Sequence, residues 1–174
     1  MATFRKPIVG FNASPDSTGE CFGEAMSVLA TNDAWASLIL IRFGANNAGQ
    51  PSVRHGFYGA FTVPKNYVGN AKIVIVWSAS VTSGNVVWDF DYRTVGGDDT
   101  TSLDQSGTEE AVTVTDAAPG AAWRRLEVSI SLTSANFAAD ELVEFYLARD
   151  GADAADTMAA SACLFDLLLE YTDV

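Results

Sequence analysis

Cysteine and histidine are nearly missing from this chain of 174 residues, which has two of the first (Cys21 and Cys163) and one of the second (His55). The cysteines stand far apart and outside any CxxC spacing, so neither a zinc motif nor a thiol-redox motif is encoded. Each is expected to be a small buried hydrophobe, and the sequence gives no reason to expect a disulfide. His55 lies in SVRHGFYG between Arg54 and Gly56 and reads as a solvated loop residue rather than a general base. No GxSxG elbow, HExxH pair or phosphate-cradling glycine loop is present, so the chain is expected not to be an enzyme and to need no cofactor. Basic residues are scarce as well. Ten Lys and Arg stand against 22 Asp and Glu, a net charge of −12. That balance argues against nucleic acid and against anionic membrane surfaces, both of which are bound through basic patches. Also lacking is any run of about 18 apolar residues, the length that spans a bilayer. LILI at 38–41 and IVIVW at 73–77 are strand-sized. MATFRKPIVGF carries Arg5 and Lys6 without the apolar stretch of about 7–15 residues that marks a secretory signal, so none is expected.

What the chain does have is apolar residues in strand patterns. Hydrophobic residues make up 48% and charged ones 18%, which excludes intrinsic disorder, and the length suits one domain. In NVVWDFDYR, 85–93, Val86, Trp88, Phe90 and Tyr92 share one face while Val87, Asp89, Asp91 and Arg93 share the other. WRRLEVSISL, 123–132, points Leu126, Val128, Ile130 and Leu132 inward by the same rule, and LVEFYLAR, 142–149, points Val143, Phe145 and Leu147 inward. SACLFDLLLEY, 161–171, places Cys163, Phe165, Leu167, Leu169 and Tyr171 on the core face, with Leu164 and Leu168 outward. WASLILIRF (35–43), AKIVIVWSASV (71–81) and short strands near 56–63 and 109–115 bring the count to eight. Ser83-Gly84-Asn85 reads as a tight hairpin. SANFAADE, 134–141, reads as one helical turn with Ser134 as a possible N-cap, and CFGEAMSVLA, 21–30, as either a helical turn or an irregular arm. Eight short strands with uneven loops and no long helix predict an all-β, antiparallel jelly-roll sandwich over 35–174, preceded by an N-terminal arm, 1–34.

Four features could carry function. Asp89 and Asp91 share a strand face about 7 Å apart, near the spacing of glycosidase carboxylates, but any strand with a polar outer face gives that spacing, and they read as exposed surface acids. Asp150, Asp153 and Asp156 put three hard oxygen donors in seven residues, a weak candidate for calcium, with a solvated hairpin loop as the simpler reading. Of the four tryptophans, Trp77 and Trp88 are expected in the core, while Trp35 and Trp123 begin their strands and could be exposed to stack on a sugar. The surplus of aliphatics on outward faces, with Leu164 and Leu168 foremost, suggests an association surface, the alternative being that residues 1–34 fold back and cover one sheet.

The segments FTVPKNYVGNAKIVIVWSAS, SGNVVWDFDYRTV and FAADELVEFYLARDGADAADTMAASACLFDLLLEY resemble a family of small jelly-roll proteins encoded among the virion genes of tailed bacteriophages. The match is one of strand and turn residues over about 57–171 and includes no catalytic signature. The resemblance implies a virion protein made in the host cytoplasm. Its first reading is a homotrimeric capsid decoration, or cement, protein that binds the major capsid protein on the outer shell. In that reading Arg5 and Lys6 of the arm, with Leu164 and Leu168, form the oligomer or capsid interface. The alternative is a receptor- or carbohydrate-binding jelly roll of a tail fibre or baseplate, with Trp35 and Trp123 on the sugar.

Overall fold

The alternating segments become strands packed face to face. The computed structural model describes residues 2–8, 11–12, 24–29, 38–43, 54–96 and 107–173. Its strands are β1 (Thr3–Pro7), β2 (Phe11–Asn12), β3 (Glu24–Leu29), β4 (Leu38–Phe43), β5 (Arg54–Thr62), β6 (Tyr67–Ser78), β7 (Asn85–Val95), β8 (Glu110–Ala117), β9 (Leu126–Ser131), β10 (Leu142–Asp150) and β11 (Ala162–Asp173). Eight of them, β4 to β11, are the eight strands read from the sequence. They form two antiparallel four-stranded sheets, ordered β4-β11-β6-β9 and β5-β10-β7-β8. From β4 to β11 the chain changes sheet at every connection except β7–β8, and this interleaving is the double Greek key of a jelly roll.

The interior is where period-2 patterning placed it. Trp77 and Trp88 meet across the sheets at 5.8 Å between ring centroids, and Phe43 meets Trp88 edge to face at 5.2 Å. Phe90 stacks on Phe145 at 5.3 Å, and Tyr92 on Phe137 at 5.0 Å. Aromatic pairs at these distances contribute about 0.5–1.5 kcal/mol beyond the area they bury.

Several expectations need correction. The stretch expected to be an arm supplies three strands of the sandwich: β1 pairs with β11, β2 with β5 and β3 with β4. Within 21–30, the described residues 24–29 are strand rather than helix. Ser83-Gly84-Asn85 is not a hairpin, because β6 and β7 lie in different sheets. It is a corner, where Gly84 takes φ +93° and a Cβ would come within 2.6 Å of Met158 Cα. The helical turn is a 3₁₀ turn, Ser134–Asn136, and the Ser134 hydroxyl accepts the Ala71 N–H at 3.3 Å instead of capping it.

The largest correction concerns β11. Its pairing with β6 slips between Leu164 and Asp166, so Phe165 is an extra residue in a β-bulge. The slip turns Leu164 inward, opposite Trp77, where it is 2% exposed and part of the core. Phe165, expected inside, is half-buried at the bulge. Leu168 does face outward and is half-buried, set between Pro7 of β1 and Val74 of β6. Val74 and Val76, also on that outer face, are only 0% and 4% exposed. Among the described residues, the outward aliphatics of β6 and β11 are thus mostly out of solvent.

Candidate functional site

The outer face of the sheet containing β5, β10, β7 and β8 carries aromatic and charged side chains in contact with one another. Register alone brings its residues together. One row across the sheet reads Tyr58, Tyr146, Asp91, Ala111; the next reads Gly56, Ala148, Asp89, Thr113. Arg54 stands one step further along β5, opposite Asp150, and on the other side of the tyrosine row stand Ala60, Glu144 and Arg93. Each of these is a strand position whose neighbours Phe57, Phe145, Leu147, Trp88 and Phe90 point into the core.

Small residues at Gly56 and Ala148 let the large ones lean over them. A Cβ on Gly56 would lie 2.5 Å from Tyr146 Cζ and 2.4 Å from the Leu147 carbonyl oxygen, so the phenol ring sits directly above bare backbone. Tyr58 lies against Tyr146 with ring centroids 4.6 Å apart and planes at 42°, and Tyr58 is 50% exposed. The Arg54 guanidinium sits 5.0 Å from the Tyr146 ring centre, within cation–π range.

From there Arg54 bridges to β7. Its Nη2 is 2.8 Å from Asp91 Oδ2 and its Nε 2.9 Å from Asp89 Oδ2. The second contact is ionic only, since the Nε–H does not point at the carboxylate. The Thr113 hydroxyl donates to Asp89 Oδ1 at 2.8 Å. Burial pushes the Asp89 carboxyl above the ordinary aspartate value, against the pull of Thr113 and Arg54. Arg54 is itself held more firmly charged, because Asp91 and Asp89 outweigh its own burial. The two shifts share one cause: Arg54 gives its hydrogen bond to Asp91, leaving Asp89 with partial compensation for lost water. Beside this cluster, Arg93 Nε donates to Glu144 Oε2 at 2.6 Å. The face therefore offers one well-exposed aromatic ring, a second ring fixed beside it, and carboxylates paired with guanidinium groups on both sides of the tyrosine row.

Most residues singled out in sequence lie elsewhere. Trp35 and Cys21 lie outside the described residues. Trp123 is 40% exposed, but on the turn entering β9 of the other sheet. It takes φ +63°, a left-handed conformation that costs an ordinary residue roughly 1–2 kcal/mol, and its N–H donates to the Ala79 carbonyl at 2.8 Å. His55 is not a solvated loop residue: it is buried in β5, opposite Arg149 in register. Cys163 is buried, as expected. Arg5 is exposed but paired within its own chain. It holds Glu170 at 2.8 Å and Glu127 at 2.9 Å on its own sheet, next to exposed Lys6.

The three loop aspartates are separated by local bonding. Asp150 and Asp153 accept the N–H groups of Ala152 and Ala155, while Asp156 is fully buried against Arg149. Among the described residues no three metal-binding side chains come together. Nor are Asp89 and Asp91 the exposed surface acids expected from the strand pattern; Arg54 ties them down. Sequence reasoning missed Arg54, Tyr58 and Tyr146 because three strands supply the face. The available signal was a tyrosine on the polar side of two strands, beside Phe57 in one and Phe145 in the other.

No family model matches the sequence, and no curated protein matches it. Among solved structures, an arabinose-bound α-L-arabinofuranosidase matches at 13% identity and a TM-score of 0.48, over 95% of this chain and 23% of that one. A family 61 carbohydrate-binding module in complex with β-1,4-galactotriose matches at 12% identity and 0.45, over 96% and 91%. A family 35 carbohydrate-binding module from Cellvibrio japonicus matches at 13% identity and 0.43, over 99% and 95%. The chain thus spans about a quarter of the first of these proteins and nearly all of the other two. Likeness this distant decides nothing about function.

Proposed function

We propose that the protein is a carbohydrate-binding module that seats a saccharide on the outer face of the β5-β10-β7-β8 sheet. The observation that carries this reading is Tyr58, half exposed and braced by Tyr146, with Arg54, Asp89 and Asp91 on its flank. A sugar ring has an apolar C–H face and a rim of hydroxyls, so it needs a ring to stack on and charged groups to hydrogen-bond. Holding both on paired strands keeps the cost of ordering low. The tail-module version of the virion resemblance is compatible with this face. The shell-decoration version needs a broad apolar exterior, and its supports have weakened: Leu164 is in the core, Val74 and Val76 are covered, and Arg5 pairs within its own chain.

The test is a glycan array followed by affinity measurement on hits, with Tyr58→Ala and Trp123→Ala as variants. Tyr58→Ala is expected to weaken binding roughly tenfold or more while the thermal midpoint stays close to that of the wild type, and Trp123→Ala to bind normally. A wild-type protein that binds no glycan, or a Tyr58→Ala variant that binds as well as wild type, contradicts the proposal.

A further inference from the structure

We infer that this face selects uncharged sugars and rejects uronate and sulfated ones; this deepens the proposed function and rests on it. Both cations of the described face are already committed. Arg54 lies between Asp91 and Asp89, at 2.8 and 2.9 Å, and Arg93 is held by Glu144 at 2.6 Å. A sugar carboxylate could gain a guanidinium fork only by displacing an aspartate that is already half-buried beside it.

The charge count points the same way. Arg54 against Asp89 and Asp91 leaves one net negative charge beside the tyrosines, and Arg93 with Glu144 adds none. Asp150, opposite Arg54 in register, brings a further carboxylate. The chain as a whole carries −12. An anionic ligand therefore meets repulsion at short range and at long range. A neutral sugar meets carboxylate oxygens, which only accept hydrogen bonds, and supplies hydroxyl donors for the lone pairs that Arg54 and Thr113 leave open. Specificity against the acid would come from the repulsive element as much as from the attractive one.

The glycan array should hold matched pairs of neutral and acidic oligosaccharides, such as galactose and galacturonate oligomers of equal length. Hits are then titrated against wild type and the Asp89→Asn/Asp91→Asn double variant at two salt concentrations. The expected result is binding to neutral members, with acidic counterparts at least about tenfold weaker at low salt. Added salt should narrow that gap, as should the double variant, which frees Arg54. Wild-type binding to uronate or sulfated glycans in preference to neutral ones overturns this inference and leaves the sugar-binding reading standing. Binding to no glycan of either kind overturns both. A double variant that fails to fold is replaced by Asp91→Asn alone, whose circular dichroism and thermal midpoint are checked first. An unchanged neutral-to-acid ratio in that folded variant also counts against the inference.

Discussion

At the centre of the core two indoles with the same burial have different polar partners. Trp77 Nε1 donates to Asp116 Oδ2 at 2.8 Å, whereas Trp88 Nε1 is buried with no acceptor among the described residues. Replacing each with phenylalanine separates ring volume from hydrogen bonding. Trp77→Phe removes the indole's hydrogen bond to the half-buried Asp116 carboxylate, which keeps the Ala117 N–H, and is expected to cost about 1–3 kcal/mol more than Trp88→Phe, which removes a donor that was never satisfied. Urea denaturation of the two variants measures the difference, and equal costs would mean the Asp116 bond contributes nothing. Gly56 offers a second single-residue test. An alanine there would meet both the Leu147 carbonyl and the Tyr146 ring, so Gly56→Ala should lower the thermal midpoint and displace the tyrosine together. Strand alternation by itself tells which way Trp88, Asp89 and Asp91 point. It does not tell that Arg54 lies over the two aspartates, because that contact depends on how three strands align.

At the scale of elements, bulges and side-chain staples decide what alternation cannot. In β11 one extra residue, Phe165, moves Leu164 from the outer face to the core, and the sequence LFDLLLEY has no glycine or proline to announce it. The β10–β11 connection is similar. It reads as a solvated acidic loop, yet Arg149 gives Asp156 a bidentate pair at 2.8 and 2.7 Å. Arg149 also donates to the carbonyls of Ala160 and Met158, both at 2.6 Å. Asp156 accepts the Val87 N–H at 3.1 Å, which ties the loop to the neighbouring strand. Arg149→Met leaves a buried carboxylate without its counter-charge and is expected to destabilise the fold by about 3–5 kcal/mol, read by urea denaturation. A cost under about 1 kcal/mol would show that the loop holds itself.

Acid should loosen the opposite end of the sandwich. Although burial works against it, hydrogen bonds from the Tyr92 hydroxyl and from Thr133 hold Glu110 below the ordinary glutamate value of 4.5. Arg5 does the same for Glu127 and Glu170 on β9 and β11. For carboxylates lowered in the fold, the unfolded chain takes up protons first. Their contribution is therefore present above pH 4.5 and is lost as the pH falls through the folded values. Asp89, raised by burial, works in the opposite sense over the acid range. Thermal midpoints should drop below pH 4.5, and Glu110→Gln should flatten that drop. A Gln variant with the wild-type acid slope would remove Glu110 from the account.

For the whole molecule, the jelly roll was readable because eight strand-sized segments with uneven loops and no long helix have few ways to close. Its N-terminal strands were not, since β1 and β2 are short and all three take their places by pairing with β11, β5 and β4. The same limit hid the function-bearing face, whose pieces are spread from Arg54 to Tyr146. Amide chemical-shift mapping by NMR, during titration with a neutral oligosaccharide that binds, tests that face most directly. The largest shifts should fall on β5, β7 and β10 around Tyr58, Asp91 and Tyr146. Shifts centred on the turn of Trp123, or spread without a focus, would contradict it.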